Sequence, residues 1–244
     1  MRRLLRRLLI RPGAIGDFVV SLPALESLRA DYTEVWCAEM NVPLARFADR
    51  AISIGASGID RLGVLPADDA IARLSGFDEI VSWYGTNRPE FRALVASLEL
   101  PFKFRDALPK AGRHAVEFYG GGRFPTIVVP AVPRTFAVIH PFASALAKRT
   151  QFDWFEAMAA RLGETMPVRW LAGPEEVLLD AVRIPDLYDL ACWLAGARVY
   201  VGNDSGISHL ATAVGTPVLA AFQTTDPKIW SPRGLAYITR SNRM

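Results

Sequence analysis

Two cysteines and three histidines in 244 residues leave little material for disulfide or metal chemistry. Cys37 and Cys192 each lie in an apolar segment without a partner at metal-ligand spacing. That excludes a disulfide framework and a zinc site and fits a reducing compartment, so a cytoplasmic protein is expected. His114, His140 and His209 are scattered, and Asp68-Asp69 suits the cap and first turn of a helix better than a metal-binding pair, so no metal is expected. Charge of one sign is also scarce. The formal net charge is +3, and no run interleaves basic with aromatic residues, which argues against nucleic acid. No apolar run reaches the roughly 18 residues of a membrane span, and no signal-peptide pattern is present, so export is not expected.

What is present is a 51% apolar fraction, enough to fill one large or two modest cores. The start, Met-Arg-Arg-Leu-Leu-Arg-Arg-Leu-Leu-Ile, allows two readings. With Arg2, Arg3, Arg6 and Arg7 between leucines at helical spacing, it could lie on an anionic membrane surface. The preferred reading makes Leu8, Leu9 and Ile10 the opening of a core strand and the arginines a solvated lead-in.

Strand-like and helix-like segments then alternate, the pattern of parallel sheets covered by helices, so the fold class is α/β. In the first half, strands are read at 8–11, 34–38, 51–54, 79–83 and 102–104, and helices at 18–30, 43–48, 68–74 and 89–98. Gly120, Gly121, Gly122, Pro125, Pro130 and Pro133 concentrate breakers in 120–133, which reads as a linker between domains 1–125 and 134–244. The second half has strands at 136–140, 168–172, 199–201, 217–222 and 236–239, with helices at 152–162, 175–182, 187–194 and 205–214. Two such domains are expected to face each other across a cleft.

Four loops follow strands and face the ligand side of such sheets. In Gly202-Asn203-Asp204-Ser205-Gly206, the backbone amides of Ser205 and Gly206 start a helix, where unpaired N–H groups and the dipole favour a diphosphate. The plainer alternative is that Asp204 caps the helix and Gly206 permits the turn. Gly13-Ala14-Ile15-Gly16-Asp17 turns sharply and puts Asp17 at a helix start, as an N-cap or as a general base. A dinucleotide reading of this turn, with Glu39 on a ribose, is disfavoured because Gly13-x-x-Gly16 lacks the G-x-G start and the third glycine. In His140-Pro141-Phe142-Ala143-Ser144-Ala145-Leu146-Ala147-Lys148-Arg149, Ser144 could donate to a phosphate and Lys148 neutralise one, although a loop lysine is commonly just solvated. In Ala172-Gly173-Pro174-Glu175-Glu176, either glutamate could accept from a ribose or simply complement a helix dipole. His209 follows Ser205 by four residues, but no carboxylate is placed to complete a triad.

Together, Gly-Ala-Ile-Gly-Asp with Ser-Leu-Pro-Ala-Leu, His-Pro-Phe-Ala-Ser with Ala-Lys-Arg, Ala-Gly-Pro-Glu, and Gly-Asn-Asp-Ser-Gly-x-x-His-Leu-Ala resemble the heptosyltransferases of glycosyltransferase family 9. The tail Gly-Thr-Pro-Val-Leu-Ala-Ala-Phe-x-Thr-Thr-Asp-Pro does so too, and the order of motifs matches from residue 11 to residue 232. The resemblance implies a GT-B-like fold of two Rossmann-like domains, the acceptor held mainly by the first and the nucleotide sugar by the second. It implies an inverting, metal-independent transfer of a sugar, heptose above all, from an ADP-sugar to a lipopolysaccharide-core or other glycan acceptor, with no cofactor. Asp17 matches the catalytic base. Lys148, Ser144, Ser205 and Gly206 would stabilise the leaving diphosphate beside Gly16, with Asp204 and His209 lining the donor pocket and Glu175 on the ribose. A lipid-linked acceptor would bring a cytoplasmic protein to the inner membrane face. The chain is short for this family, with a reduced acceptor half and a clipped stretch between Glu176 and Ala195. That motivates the alternative of a non-catalytic nucleotide-sugar-binding or assembly protein.

Overall fold

In a computed structural model describing residues 3–64, 67–109, 112–124 and 126–240, Leu8, Leu9 and Ile10 have no exposed surface and form the middle of strand β1 (Arg6–Arg11). An unbroken apolar triplet is what a parallel strand covered on both faces requires. β1 pairs in parallel with β2 (Tyr32–Cys37) on one side and β4 (Glu79–Ser82) on the other. β3 (Arg50–Ser53) and β5 (Phe102–Phe104) complete a five-stranded sheet of order β3-β2-β1-β4-β5. Helix α1 (Ile15–Ser27) follows β1, α2 (Asp68–Leu74) precedes β4, and α3 (Pro89–Ser97) precedes β5.

The described residues fall into two compact units, one within Met1–Ala14 and Ala24–Pro109, the other within Ile15–Pro23 and Lys110–Met244. The grouping changes inside α1 at Pro23, so the first two turns of that helix belong with the second unit. The division at Pro109 and Lys110 lies upstream of 120–133. Apart from Pro125, which is outside the described residues, that stretch carries no helix or strand and groups with the second unit.

The second unit opens with a short helix, α4 (Ala115–Tyr119), and then builds its sheet from β6 (Phe136–His140), β7 (Val168–Trp170), β8 (Ala197–Asn203), β9 (Val218–Phe222) and β10 (Ala236–Arg240). All pairings are parallel and the order is β10-β9-β8-β6-β7. Helix α5 (Phe152–Gly163) carries Phe155, Met158, Ala159 and Leu162 at helical spacing and packs them on Ile139 and Val201 of the sheet. Helix α6 (Leu187–Ala195) likewise buries Leu187, Leu190, Ala191 and Leu194. Helix α7 (Gly206–Ala213) follows β8, and the short α8 (Pro227–Trp230) precedes β10. The chain passes from β6 to β7 on one side and to β8 on the other. The strand order therefore reverses between β6 and β8, where open α/β sheets bind their ligands.

Residues 6–11 form the strand that the preferred reading expects and not the amphipathic helix of the alternative, and two expected helices need correction. Arg6 Nε donates to the Gly76 carbonyl at 3.1 Å, Arg7 Nε donates to Glu79 at 2.6 Å and Arg3 pairs with Asp78 at 2.5 Å, while Arg2 lies outside the described residues. Residues 43–48 are not an α-helix: a 3-10 turn, Glu39–Leu44, ends within them, and 45–48 carry turns only. Residues 175–182 are not a helix either. Val177 and Leu179 are 90% and 88% exposed, so a helix here would have no apolar stripe to bury. Instead Val182 bridges Leu171, and Arg183 collects the carbonyls of Gly173, Glu176 and Leu178 at 2.9, 2.8 and 3.0 Å.

Candidate functional site

The loops after β6 and β8 flank the switch point of the second sheet, and buried Asn203 joins them. Its Nδ2 donates to the Pro141 carbonyl at 2.8 Å, and its Oδ1 accepts from the Thr150 amide at 2.9 Å. The neighbouring Asp204 is also buried and accepts from Lys148 Nζ at 2.8 Å and from the Thr225 hydroxyl. A carboxylate this deep needs such partners to stay charged. The lysine read as a phosphate ligand is thus pinned beside the start of α7.

That start meets a second helix start. The first turn of α1 lies against it so closely that a Cβ on Gly206 would stand 2.7 Å from Ile15 Cβ and 2.9 Å from the Gly16 backbone nitrogen. The missing side chain of Gly206 therefore serves α1, while the amides of Ser205 and Gly206 remain among those a helix leaves without internal partners. Each helix start carries roughly +0.5 of an elementary charge. Two in contact repel one another, so an anion placed between them is favoured by both. Asp17 sits in the first turn of α1, half-buried.

The other expected residues are dispersed in character. Ser144 and Glu175 are exposed. Glu176 is instead the fixed one of the pair, its Oε2 accepting from the Gly173 amide at 2.6 Å and from His140 Nε2 at 3.2 Å. Burial pushes the Glu176 carboxyl up, but its bonds to His140 and Gly173 and the nearby Arg149 outweigh this and hold it below the usual carboxylate range. His140, Tyr200 and Thr225 received no role from the sequence. Only the register that sets Val138 beside Tyr200 and His140 beside Gly202 brings the first two together, a pairing no local pattern encodes. Among the described residues, no three His, Cys, Asp or Glu side chains gather as a metal-binding group, and no helix is long and apolar enough to cross a membrane.

His209 is buried on α7, and the position of a Cβ on Gly16 would be 3.4 Å from its Cδ2. Burial pushes its pKa from 6.5 down to about 4, against the pull of Asp204. Below pH 6.5 the unfolded chain takes up a proton that the folded one refuses. This contribution to stability is therefore complete above 6.5 and is lost as pH falls towards about 4, with a slope approaching ~1.4 kcal/mol per pH unit. Thermal denaturation across that range is expected to show the decline, and His209→Asn to flatten it.

Two parallel-sheet α/β units, with an anion-favouring pair of helix starts at the switch point of the second, define a GT-B-like α/β protein. Residues 103–242, more than half of the chain, match the model of glycosyltransferase family 9 (heptosyltransferase), and the chain belongs to that family. A stretch of 73 residues is 38% identical to lipopolysaccharide heptosyltransferase 3 of Escherichia coli K12, spanning 30% of this chain and only 18% of that relative's length. Among solved structures, a family 9 glycosyltransferase from Veillonella parvula is 15% identical, with a TM-score of 0.74 over 97% of this chain and 86% of its own. Escherichia coli heptosyltransferase WaaC with ADP is 18% identical, with a TM-score of 0.69 over 97% and 93%. Escherichia coli ADP-heptose lipopolysaccharide heptosyltransferase II is 16% identical, with a TM-score of 0.72 over 96% and 90%. These structures share the fold.

Proposed function

We propose that the protein transfers a sugar, heptose above all, from an ADP-sugar to a lipopolysaccharide-core saccharide, inverting the anomeric carbon and using no metal ion. The observation that carries this reading is the meeting of the α1 and α7 helix starts at Gly16 and Gly206, beside Lys148. A leaving diphosphate gathers negative charge as its bond to the sugar breaks, and fixed positive groups there favour the transition state over the bound substrate. The family membership and the names of the relatives, which include ADP and ADP-heptose, support the choice of donor.

Asp17 takes the proton of the acceptor hydroxyl as that oxygen bonds to the anomeric carbon. The bond from this carbon to the diphosphate breaks, and ADP leaves with the electron pair. Lys148, Ser144 and the amides of Ser205 and Gly206 take up its charge, and His209 and Asp204 shape the pocket. Of the two candidate glutamates, Glu176 holds the ribose, because its Oε2 is already fixed and its Oε1 is left for a further donor. A lipid-borne acceptor brings the protein to the inner membrane face. Arg3 and Arg6 remain exposed while bonded to Asp78 and Gly76.

The test is ADP release from ADP-heptose with core acceptors in the presence of a chelator. Turnover that persists supports the reading in full. ADP binding without turnover across a panel of donors and acceptors would favour the non-catalytic alternative, and turnover abolished by the chelator would remove metal independence.

A further inference from the structure

The donor loops of the second unit are joined beneath their surface by a polar chain whose two central members, His140 and Tyr200, the transfer mechanism does not use. His140 ends β6, is 4% exposed, and bridges two partners. Its Nε2 lies 3.2 Å from Glu176 Oε2 and its Nδ1 lies 2.9 Å from the Tyr200 hydroxyl. Glu176 is a carboxylate and can only accept, so the ring carries a proton on Nε2, and its Nδ1 meets the Tyr200 hydroxyl. Tyr200 is fully buried in β8. Burial pushes its hydroxyl well above the usual phenol range, while the hydroxyls of Ser208 and Ser205, close enough to hydrogen-bond, work against the rise. Ser208 in turn donates to the Asn203 carbonyl at 2.6 Å. The ring of Tyr200 reaches this position because residue 202 is glycine, where a Cβ would stand 2.6 Å from the hydroxyl oxygen. The chain thus runs from the loop after β7, through the end of β6, to the first turn of α7.

We propose that His140 is a positioning residue: held by Tyr200, it fixes the Glu176 carboxylate so that the loop Gly173–Glu176 meets the nucleoside of the donor in one preset geometry. The need for such a fixture follows from the local chain. Residues 175–182 form no helix, and Val177 and Leu179 are 90% and 88% exposed, so neither side chain anchors the segment that follows this loop. Arg183 secures its carbonyls, and His140 secures its carboxylate. A preset acceptor spares the ordering of a side chain when the ligand binds, which is where such a residue contributes affinity. The chemistry recognised is the vicinal hydroxyl pair of a ribose, whose donors Glu176 Oε1 accepts.

The assignment rests on the ADP-sugar reading and is tested with ADP alone, by calorimetric titration of the wild type, His140→Ala, His140→Gln, Glu176→Gln and the double variant His140→Ala with Glu176→Gln. Melting temperatures are recorded for each. His140→Ala is expected to weaken ADP about tenfold, a difference of about 1.4 kcal/mol, and to raise KM for the sugar donor more than it lowers kcat. His140→Gln, whose amide can still donate to Glu176, is expected to recover most of the affinity. The double variant is expected to bind no more weakly than Glu176→Gln alone, because the two residues act as one unit. Wild-type ADP affinity in His140→Ala, or losses that simply add in the double variant, would overturn the positioning role while leaving the transferase reading intact. A wild type that binds no ADP would overturn that reading, and the role of His140 with it.

Discussion

Asp17→Asn is expected to lower turnover about 10²- to 10⁴-fold, the range that a general base contributes, while leaving ADP affinity within about threefold. The asymmetry follows from placement. Asp17 lies in the first turn of α1, whose start meets α7, and as the proposed base its carboxylate would take the acceptor's proton while repelling, not binding, the phosphates. Asparagine keeps the shape and loses the basicity. The loss of a negative charge at a helix start costs about 0.3–1 kcal/mol, too small by itself to unfold the chain. Stopped assays of ADP release paired with ADP titration read both quantities on one preparation. Turnover within about tenfold of wild type would remove Asp17 as the base. Loss of both turnover and ADP binding would mean that its role is in holding the donor.

Gly206→Ala is the second large effect. The added methyl would stand 2.7 Å from Ile15 Cβ and 2.9 Å from the Gly16 nitrogen. A backbone atom cannot swing aside as a side-chain tip can, so α1 must lift from α7 or the loop before α7 must shift. Overpacking of this kind costs about 1–3 kcal/mol. Because the displaced parts are the two helix starts that favour the diphosphate, ADP affinity is expected to fall with it, by more than tenfold. Gly163→Ala is the control. It sits at the end of α5, the nearest atom to its added methyl would be 4.0 Å away, and replacing glycine there is expected to leave ADP binding unchanged and stability equal or slightly higher. A calorimetric melt and an ADP titration of both variants check the contrast. Equal behaviour of the two would mean that the contact at Gly206 does not organise the site.

Local chemistry carried most of the sheet framework. Residues 102–104 and 136–140, short apolar runs beside a proline, and 68–74, a helix opening on two acidic residues, read as their observed elements because such signals need no distant information. The short helices α4 and α8, of five and four residues, are too brief for periodicity to mark. The expected helix at 175–182 failed for the opposite reason. Its residues have acceptable helix propensity, but no neighbouring surface receives Val177 and Leu179, and propensity alone seldom holds a short helix.

The sequence by itself determined that this chain makes two parallel-sheet halves and places glycine- and acid-rich turns after the strands, since strand, turn and helix signals act over a few residues. It also carried the motifs that place the chain in its family. Only the tertiary structure decided that Gly206 makes room for α1, that Glu176 and not Glu175 is the anchored carboxylate, and that His140 and Tyr200 lie between the loop after β7 and the first turn of α7. Those facts depend on strand register and on the approach of helices far apart in sequence. Such contacts are set by packing the whole sheet, which no window of neighbouring residues contains.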